Sequence, residues 1–515
     1  METLDWLVIG IFFLALIGII VWVVKQKQND SADYFLGGRD ATWLAIGASI
    51  FASNIGSEHL IGLAGAGASS GMAMAHWEIQ GWMILILGWV FVPFYSRSMV
   101  FTMPEFLERR YNPQSRTILS VISLISYVLT KVAVTVYAGG LVFQQVFGIK
   151  ELWGIDFFWI AAIGLVILTA LYTIFGGMKS VLYTSILQTP ILLLGSLIIL
   201  VLGFKELGGW DEMMRICGAV TVNDYGNTMT ELIRSNNDPN FPWLGALIGS
   251  AIIGFWYWCT DQFIVQRVLS GKNEKEARRG TIFGAYLKLL PVFLFLIPGM
   301  IAFALHQKYL GTGGEGFLPM LANGNANADA AFPTLVAKLL PAGVKGLVVC
   351  GILAALMSSL ASLFNSSAML FTIDFYKRFK PNTSEKKLVG IGQMATVAIV
   401  ILGILWIPIM RSVGDVLYTY LQDVQSVLAP GIAAAFLLGI CWKRTSAQGG
   451  MWGLIAGMII GLTRLGAKVY YSNVGDVSSS TFKYLFYDMN WLFFCAFRKL
   501  VPFISDCFFI FSPPQ

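Results

Sequence analysis

Asn54, Glu58 and His59 sit in a run, Gly47 to Gly62, that otherwise suits hydrocarbon. Lipid does not solvate such groups, so polar residues at that depth mark function. Around them lie Ala48, Ser49, Ala52, Ser53, Gly56 and Ser57, all small. That composition fits a helix that is closely packed or one that is interrupted, and composition leaves both readings open. A break near Asn54–Gly56 would strip the carbonyls of Ala52 and Ile55 of their intrahelical partners. Such neutral oxygens suit Na+. A second set lies far along the chain. Ser358, Ser362, Asn365 and Ser366 recur at i, i+4, i+7 and i+8, with Ser359 beside them. Helical spacing makes these a polar stripe whose hydroxyls offer oxygen to a monovalent cation. A lone serine in such a helix more often bonds back to a carbonyl or glues helices together. Five polar groups on and beside one face fit that reading less comfortably.

Two further sets suit a hydroxylated solute. Phe255, Trp256, Tyr257 and Trp258 run into Cys259, Thr260, Asp261 and Gln262. Aromatic faces stack on the apolar side of a sugar ring, and Tyr257 adds a hydroxyl. An interfacial aromatic belt is the plainer alternative. Glu78, Lys288 and Gln422 are isolated polar residues in apolar surroundings, and buried charges need partners. Spacing alone does not bring them together, and each could instead snorkel or pair locally. Lys131 also demands a partner, which the sequence does not name. Gly67-Ala68-Ser69-Ser70-Gly71 matches a hydrolase nucleophile elbow, but that elbow needs a strand-to-helix turn, and here the match ends an apolar helical stretch. An intramembrane hydrolase is therefore a distant alternative. P-loop and dinucleotide fingerprints are absent.

The surrounding elements are membrane spans. Of 515 residues, 56% are hydrophobic and 12% charged, and mean hydropathy is +0.70. A span needs about 20 apolar residues. Twelve stretches qualify: 5–24, 43–70, 76–96, 117–147, 155–175, 181–204, 243–266, 281–305, 344–372, 388–409, 416–441 and 450–470. The first lacks a basic region before it and a cleavage site after it, so it reads as a helix, not a leader. With the N-terminus outside, loops 25–41, 97–116, 176–180, 267–280, 376–387 and 442–449 hold 20 Lys and Arg, against 8 in the outer loops. That asymmetry follows the positive-inside rule and accounts for the net charge of +6 without nucleic acid. The six cysteines show no metal or disulfide spacing. Five spans in 42–204 and five in 243–441, separated by a polar stretch at 205–242, enter the membrane from opposite sides, the arithmetic of an inverted repeat. Residues 1–41 would add one helix in front, and 442–515 a C-terminal helix or helices with an atypical end.

Several motifs run longer than ten residues. Tyr34 to Arg39, Gly47 to Gly67, Thr102 to Phe106, Trp256 to Arg267, Leu340 to Gly346 and Met357 to Tyr376 together resemble the sodium/glucose cotransporter branch of the sodium/solute symporter family. The resemblance implies an all-α polytopic membrane protein with a LeuT-type five-plus-five inverted repeat. It implies a Na+ site of the Ala52, Ile55 and Ala355 carbonyls with the Ser358 and Ser359 hydroxyls. It implies a sugar site of Asn54, His59, Glu78, Lys288 and Gln422 with Trp258 alongside, and Tyr257 stacked on the sugar as inner gate. Ser185 stands where many relatives carry Asp, and Ala361 where two-sodium relatives carry Thr beside Ser362, so one Na+ per sugar is expected. The pattern fades after about Tyr470. The expected function is uptake of a glucose- or galactose-like hexose driven by Na+ at the plasma membrane, with no enzymatic activity and no evident obligate protein partner. Uptake of another polar solute, such as myo-inositol, sialic acid or an amino acid, and a passive channel are the alternatives.

Overall fold

The structure, a computed structural model, describes the 515-residue chain except residues 27, 29, 57, 322–323, 413–416, 475–479, 491 and 496–515. Side chains at 58, 129–130, 409–424, 469 and 472–474 also lie outside the described set, among them Gln422. Among the described residues, eight helices are long and apolar enough to cross a membrane, and three apolar helices are shorter. The described strands form one antiparallel pair, Glu151–Leu152 with Ile155–Asp156.

Helix α1 (Thr3–Lys25) leans on the outside of the bundle and shows much of its apolar surface. Its buried Asp5 carboxylate accepts the backbone N–H groups of Gly343 and Gly346, at 2.7 and 2.8 Å. Helix α2 (Trp43–Asn54) is buried from Ala45 onward. Its small residues let it lie close against the helix Glu274–Leu287: a side chain at Gly47 would meet Phe283 and the Gly280 carbonyl. Helix α3 (Phe157–Leu207) is two helices in sequence, matching the stretches at 155–175 and 181–204, that meet at a sharp kink where Gly177 leaves the helical region with ψ −147°. Gly177 takes φ 52°, and a β-carbon there would strike the backbone of Tyr34, so glycine is required on both counts.

The next two elements are halves of one path. Helix α4 (Trp243–Gly254) continues as a wider π-turn, Phe255–Thr260, and stops at Asp261, whose ψ of 127° is extended. Helix α5 (Gln262–Leu269) starts immediately after it. Helix α6 (Val344–Met369) runs through the centre, with 94% of the apolar window of its span buried. Asp5 of α1 caps the N-terminus of α6, satisfying amides that the helix itself leaves open. Both α2 and α5 pack against α6.

Candidate ion and solute site

Helix α2 ends within the bundle. Ile55 has φ −77° and ψ 98°, outside the helical region, and a π-turn begins at Glu58. Ile55 N–H still reaches the Phe51 carbonyl, and the His59 and Leu60 N–H groups turn to Gly56. Among the described residues, no hydrogen bond reaches the carbonyl of Ala52 or Ile55. The helix is therefore interrupted, and the continuous reading is set aside.

Helix α6 meets the break with its serines. Ser359 Oγ donates to the Ser53 carbonyl at 2.8 Å. That commits the Ser359 proton and leaves the lone pairs of its oxygen for another partner. Gly56 lies against the same hydroxyl: a β-carbon there would sit 2.9 Å from Ser359 Oγ. Ser358 Oγ lies 3.4 Å from Ser53 Oγ and 3.3 Å from Ser185 Oγ on α3. Ala355 lies one turn before Ser359 on α6 and is buried. Ser53 of α2 thus meets Ser358 and Ser359 of α6, with Ala52 one residue before Ser53 and Ala355 one turn before Ser359.

Two residues at this junction carry more than the sequence suggested. Ser53 Oγ accepts from Arg267 Nη2 at 2.7 Å and lies 2.7 Å from Ser362 Oγ. Ser362 in turn donates to the Ser358 carbonyl at 2.7 Å. Because Arg267 has only donors, Ser53 passes its own proton to Ser362, and the chain of bonds runs one way. Arg267 also bonds Ser49 Oγ at 3.1 Å, stacks on Phe263 and is 1% exposed. Counting it among loop cations was therefore wrong. Its guanidinium lies in the interior because serine hydroxyls solvate it there. The clue was available: it falls two turns past the aromatic cluster, on the face of α5 that also carries Phe263.

The solute candidates come together one turn beyond the break. Lys288 Nζ lies 2.6 Å from Glu78 Oε2, and His59 Nε2 lies 3.2 Å from Glu78 Oε1. Lys288 Nζ is 2.7 Å from His59 Nε2. All three are buried, at 3, 2 and 4% exposure. The lysine ammonium also sits 5.6 Å from the Trp258 ring centre, a cation–π contact. Trp258 meets Tyr257 edge to face, with ring centres 4.9 Å apart. Tyr257 OH accepts from Asn54 Nδ2 at 3.0 Å, and Asn54 Oδ1 accepts no hydrogen bond among the described residues. A carboxylate between two nitrogen groups, an open amide oxygen and an aromatic face can engage hydroxyls as donors, as acceptors and through their carbon skeleton. Gln422 belongs to helix Leu417–Cys441, but its side chain is outside the described residues.

Lys131 finds its partner at the second break. Its ammonium lies 2.7 Å from Asp261 Oδ2 and 4.7 Å from the Tyr257 ring centre. Asp261 also accepts from Tyr127 OH and caps α5 through Phe263 N–H at 3.2 Å. An aspartate directly before a helical stretch is an N-cap signal, and Thr260-Asp261-Gln262 carried it. Ser69 of the G-x-S-x-G match lies in the helix Ala64–Ser70 and contacts Ser70, while His76 bonds the Ala73 carbonyl. Neither arrangement forms a nucleophile elbow.

Comparison with known proteins supplies a frame for this geometry. Residues 34–457 match the model of the sodium:solute symporter family. The chain is 38% identical over 532 residues to the mouse sodium/myo-inositol cotransporter 2, covering 100% of this chain and 78% of that protein. It is 39% identical over 479 residues to the human sodium/myo-inositol cotransporter 2, covering 90% and 70%. It is 36% identical over 511 residues to the zebrafish sodium/glucose cotransporter 4, covering 96% and 76%. In structure it resembles a Na+-coupled sialic acid symporter solved substrate-bound and outward-open, with TM-score 0.79 at 21% identity over 100% of this chain and 99% of the other. MhsT in complex with L-phenylalanine gives TM-score 0.55 at 14% identity, covering 93% and 100%. These likenesses establish the LeuT-type inverted-repeat fold.

Proposed function

The chain belongs to the sodium:solute symporter family, and from that premise we propose that it carries a six-membered polyhydroxylated ring, a hexose or myo-inositol, inward with one Na+. Coupling to Na+ and the absence of enzymatic chemistry come with the family. The solute class and the residues are our reading. It draws on one observation above all: the break after Asn54 puts the Ser359 hydroxyl and the His59–Glu78–Lys288 cluster on either side of the same few residues.

In this reading Na+ takes the carbonyls of Ala52, Ile55 and Ala355 and the hydroxyls of Ser358 and Ser359. The set fits the ion, because it is hard, neutral oxygen and the Ser359 proton is already directed at Ser53. Bound Na+ ties α2 to α6 and fixes Asn54, one residue before Ile55. Asn54, His59, Glu78, Lys288 and Gln422 then bind ring hydroxyls beside Trp258, with Tyr257 closing the inner side. Entry of solute completes the closure. Loss of Na+ to a low-Na+ interior loosens the α2–α6 tie and frees Tyr257 to move. One ion crossing ~100 mV contributes about 2.3 kcal/mol. A tenfold Na+ gradient adds about 1.4 kcal/mol. Together these support accumulation of roughly several hundredfold.

A single ion is favoured by the charges near Ser358. Ser185 offers a hydroxyl where a carboxylate would be needed, and Arg267 already brings a positive charge to Ser53. We place the protein in the plasma membrane with its N-terminus outside, and the two repeats at 42–204 and 243–441. Excluding the buried Arg267 leaves the basic excess on the same side. Proteoliposomes loaded with K+ and given outside Na+ should accumulate labelled myo-inositol or glucose, and a K+ gradient alone should not. The ring that competes better names the substrate. Accumulation of an amino acid or sialic acid instead of either ring would overturn the solute class.

A further inference from the structure

A crevice of about 440 Å³ opens between α1 and α3. Phe13 and Leu16 form one wall, Leu171 and Tyr172 the other, and Met357 of α6 the floor. The lining is almost wholly apolar. Tyr172 could have supplied a polar group, but its hydroxyl is committed to the Met357 carbonyl at 2.9 Å. A polar ligand would therefore find nothing to bond, which leaves a hydrocarbon occupant. The mouth lies among residues that face outward from the bundle: Ile17 is 52% exposed and Phe175 57%. In a membrane-spanning helix those surfaces face lipid.

Length and charge narrow the occupant. From Phe13 to Lys25 the crevice follows α1 for about 18 Å at 1.5 Å per residue. One leaflet of a bilayer with a core of about 30 Å is about 15 Å deep. The crevice thus spans one leaflet and ends at a cation, the exposed Lys25, which is itself part of the lining. A second cation stands near that end: Lys179 Nζ lies 3.3 Å from Gln26 Oε1, on the residue after Lys25. Two ammonium groups at the lipid headgroup level attract anionic lipid over zwitterionic lipid. We propose that this crevice is a binding site for a single anionic phospholipid, with one acyl chain between α1 and α3 and its phosphate at Lys25. Met357 directly precedes Ser358, so the occupant touches the helix that carries the proposed ion-binding hydroxyls.

The test uses the full chain in vesicles containing a trace of phosphatidylglycerol with a photoreactive diazirine on its acyl chain. After illumination, labelled peptides are mapped with excess unlabelled phosphatidylglycerol, phosphatidylcholine or cholesterol as competitor. The expected label falls on 13–25 and 168–175 and drops at least about fivefold with phosphatidylglycerol only, the preference for anionic lipid that one ammonium at the membrane surface supplies. Lys25→Gln should weaken the preference for the anionic competitor, and Lys25→Gln with Lys179→Gln should abolish it. Leu171→Trp, which fills the crevice, should remove the label while Na+-driven uptake shows that the protein is folded. Leu168→Trp, on the same wall, substitutes if that variant does not assemble. Label spread evenly over all lipid-facing helices overturns the site. Equal competition by phosphatidylcholine, or stronger competition by cholesterol, overturns the anionic phospholipid.

Discussion

Both helix breaks lie at the heart of the bundle, yet the chain settles their loose ends differently. At Asp261 the break is closed by the protein itself. The Cys259 carbonyl freed there accepts from Tyr95 OH at 2.6 Å, and the Asp261 carboxylate is neutralised by Lys131 at 2.7 Å. At Ile55 the described charge is the Arg267 guanidinium on the Ser53 hydroxyl, and among the described residues the carbonyls of Ala52 and Ile55 receive no hydrogen bond. The Ser359 hydroxyl is aimed at the same place. A break whose charges are already matched has no use for an ion from solution. A break with unclaimed carbonyl oxygens has one. On our proposal the difference gives the ion to the first break and a permanent latch to the second, and the Asn54–Tyr257 bond joins the two.

The strongest way to break that comparison is Asp261→Asn. It strands the Lys131 ammonium in the interior, a loss of about 3–5 kcal/mol. Uptake should vanish at every Na+ concentration, with a lower melting temperature in detergent. Adding Lys131→Met should restore much of the stability, since replacing both partners with apolar groups is often nearly neutral. Normal uptake in the single variant would mean that the pair is no latch. Ser359→Ala should instead raise half-saturating Na+ by about tenfold, the loss of roughly one bond to a charged group, and excess Na+ should restore uptake. Its solute preference should not change. Gly56→Ala pushes on the same hydroxyl and should move Na+ dependence in the same direction by only a few-fold, if Ser359 yields. The smallest effect is expected from Tyr257→Phe. Loss of its hydroxyl removes about 0.5–1.5 kcal/mol, a few-fold weaker solute half-saturation with the ion count unchanged.

Much of the first break was legible in the sequence, because small residues flank Asn54 and the serines of α6 recur at helical spacing. Both are local signals. The pairing of Glu78 with Lys288 was not, since 210 residues separate them and spacing does not report on tertiary contact. Only the resemblance to a family placed them together. Lys131 announced that it needed a partner but not which one, although Asp261 carried a helix-start signal that could have been used. Ser53 was hidden by its setting: in a run of small residues it reads as packing, whereas its hydroxyl and carbonyl together link Arg267, Ser359 and Ser362. The kink at Gly177 is the opposite case, a local signal that was legible. Hydropathy separates two spans there, and the backbone does break between them, at the non-helical Gly177.

The central claim is that the interrupted end of α2 and the hydroxyls of α6 hold one sodium ion. Equilibrium binding of radioactive Na+ to the purified protein, without solute, tests it most directly. The account predicts saturation at one ion per chain in the wild type and, at the Na+ concentration that half-fills the wild type, an occupancy of about a tenth in Ser359→Ala, from its tenfold weaker binding. Two ions per chain, or undiminished binding in the variant, would contradict it.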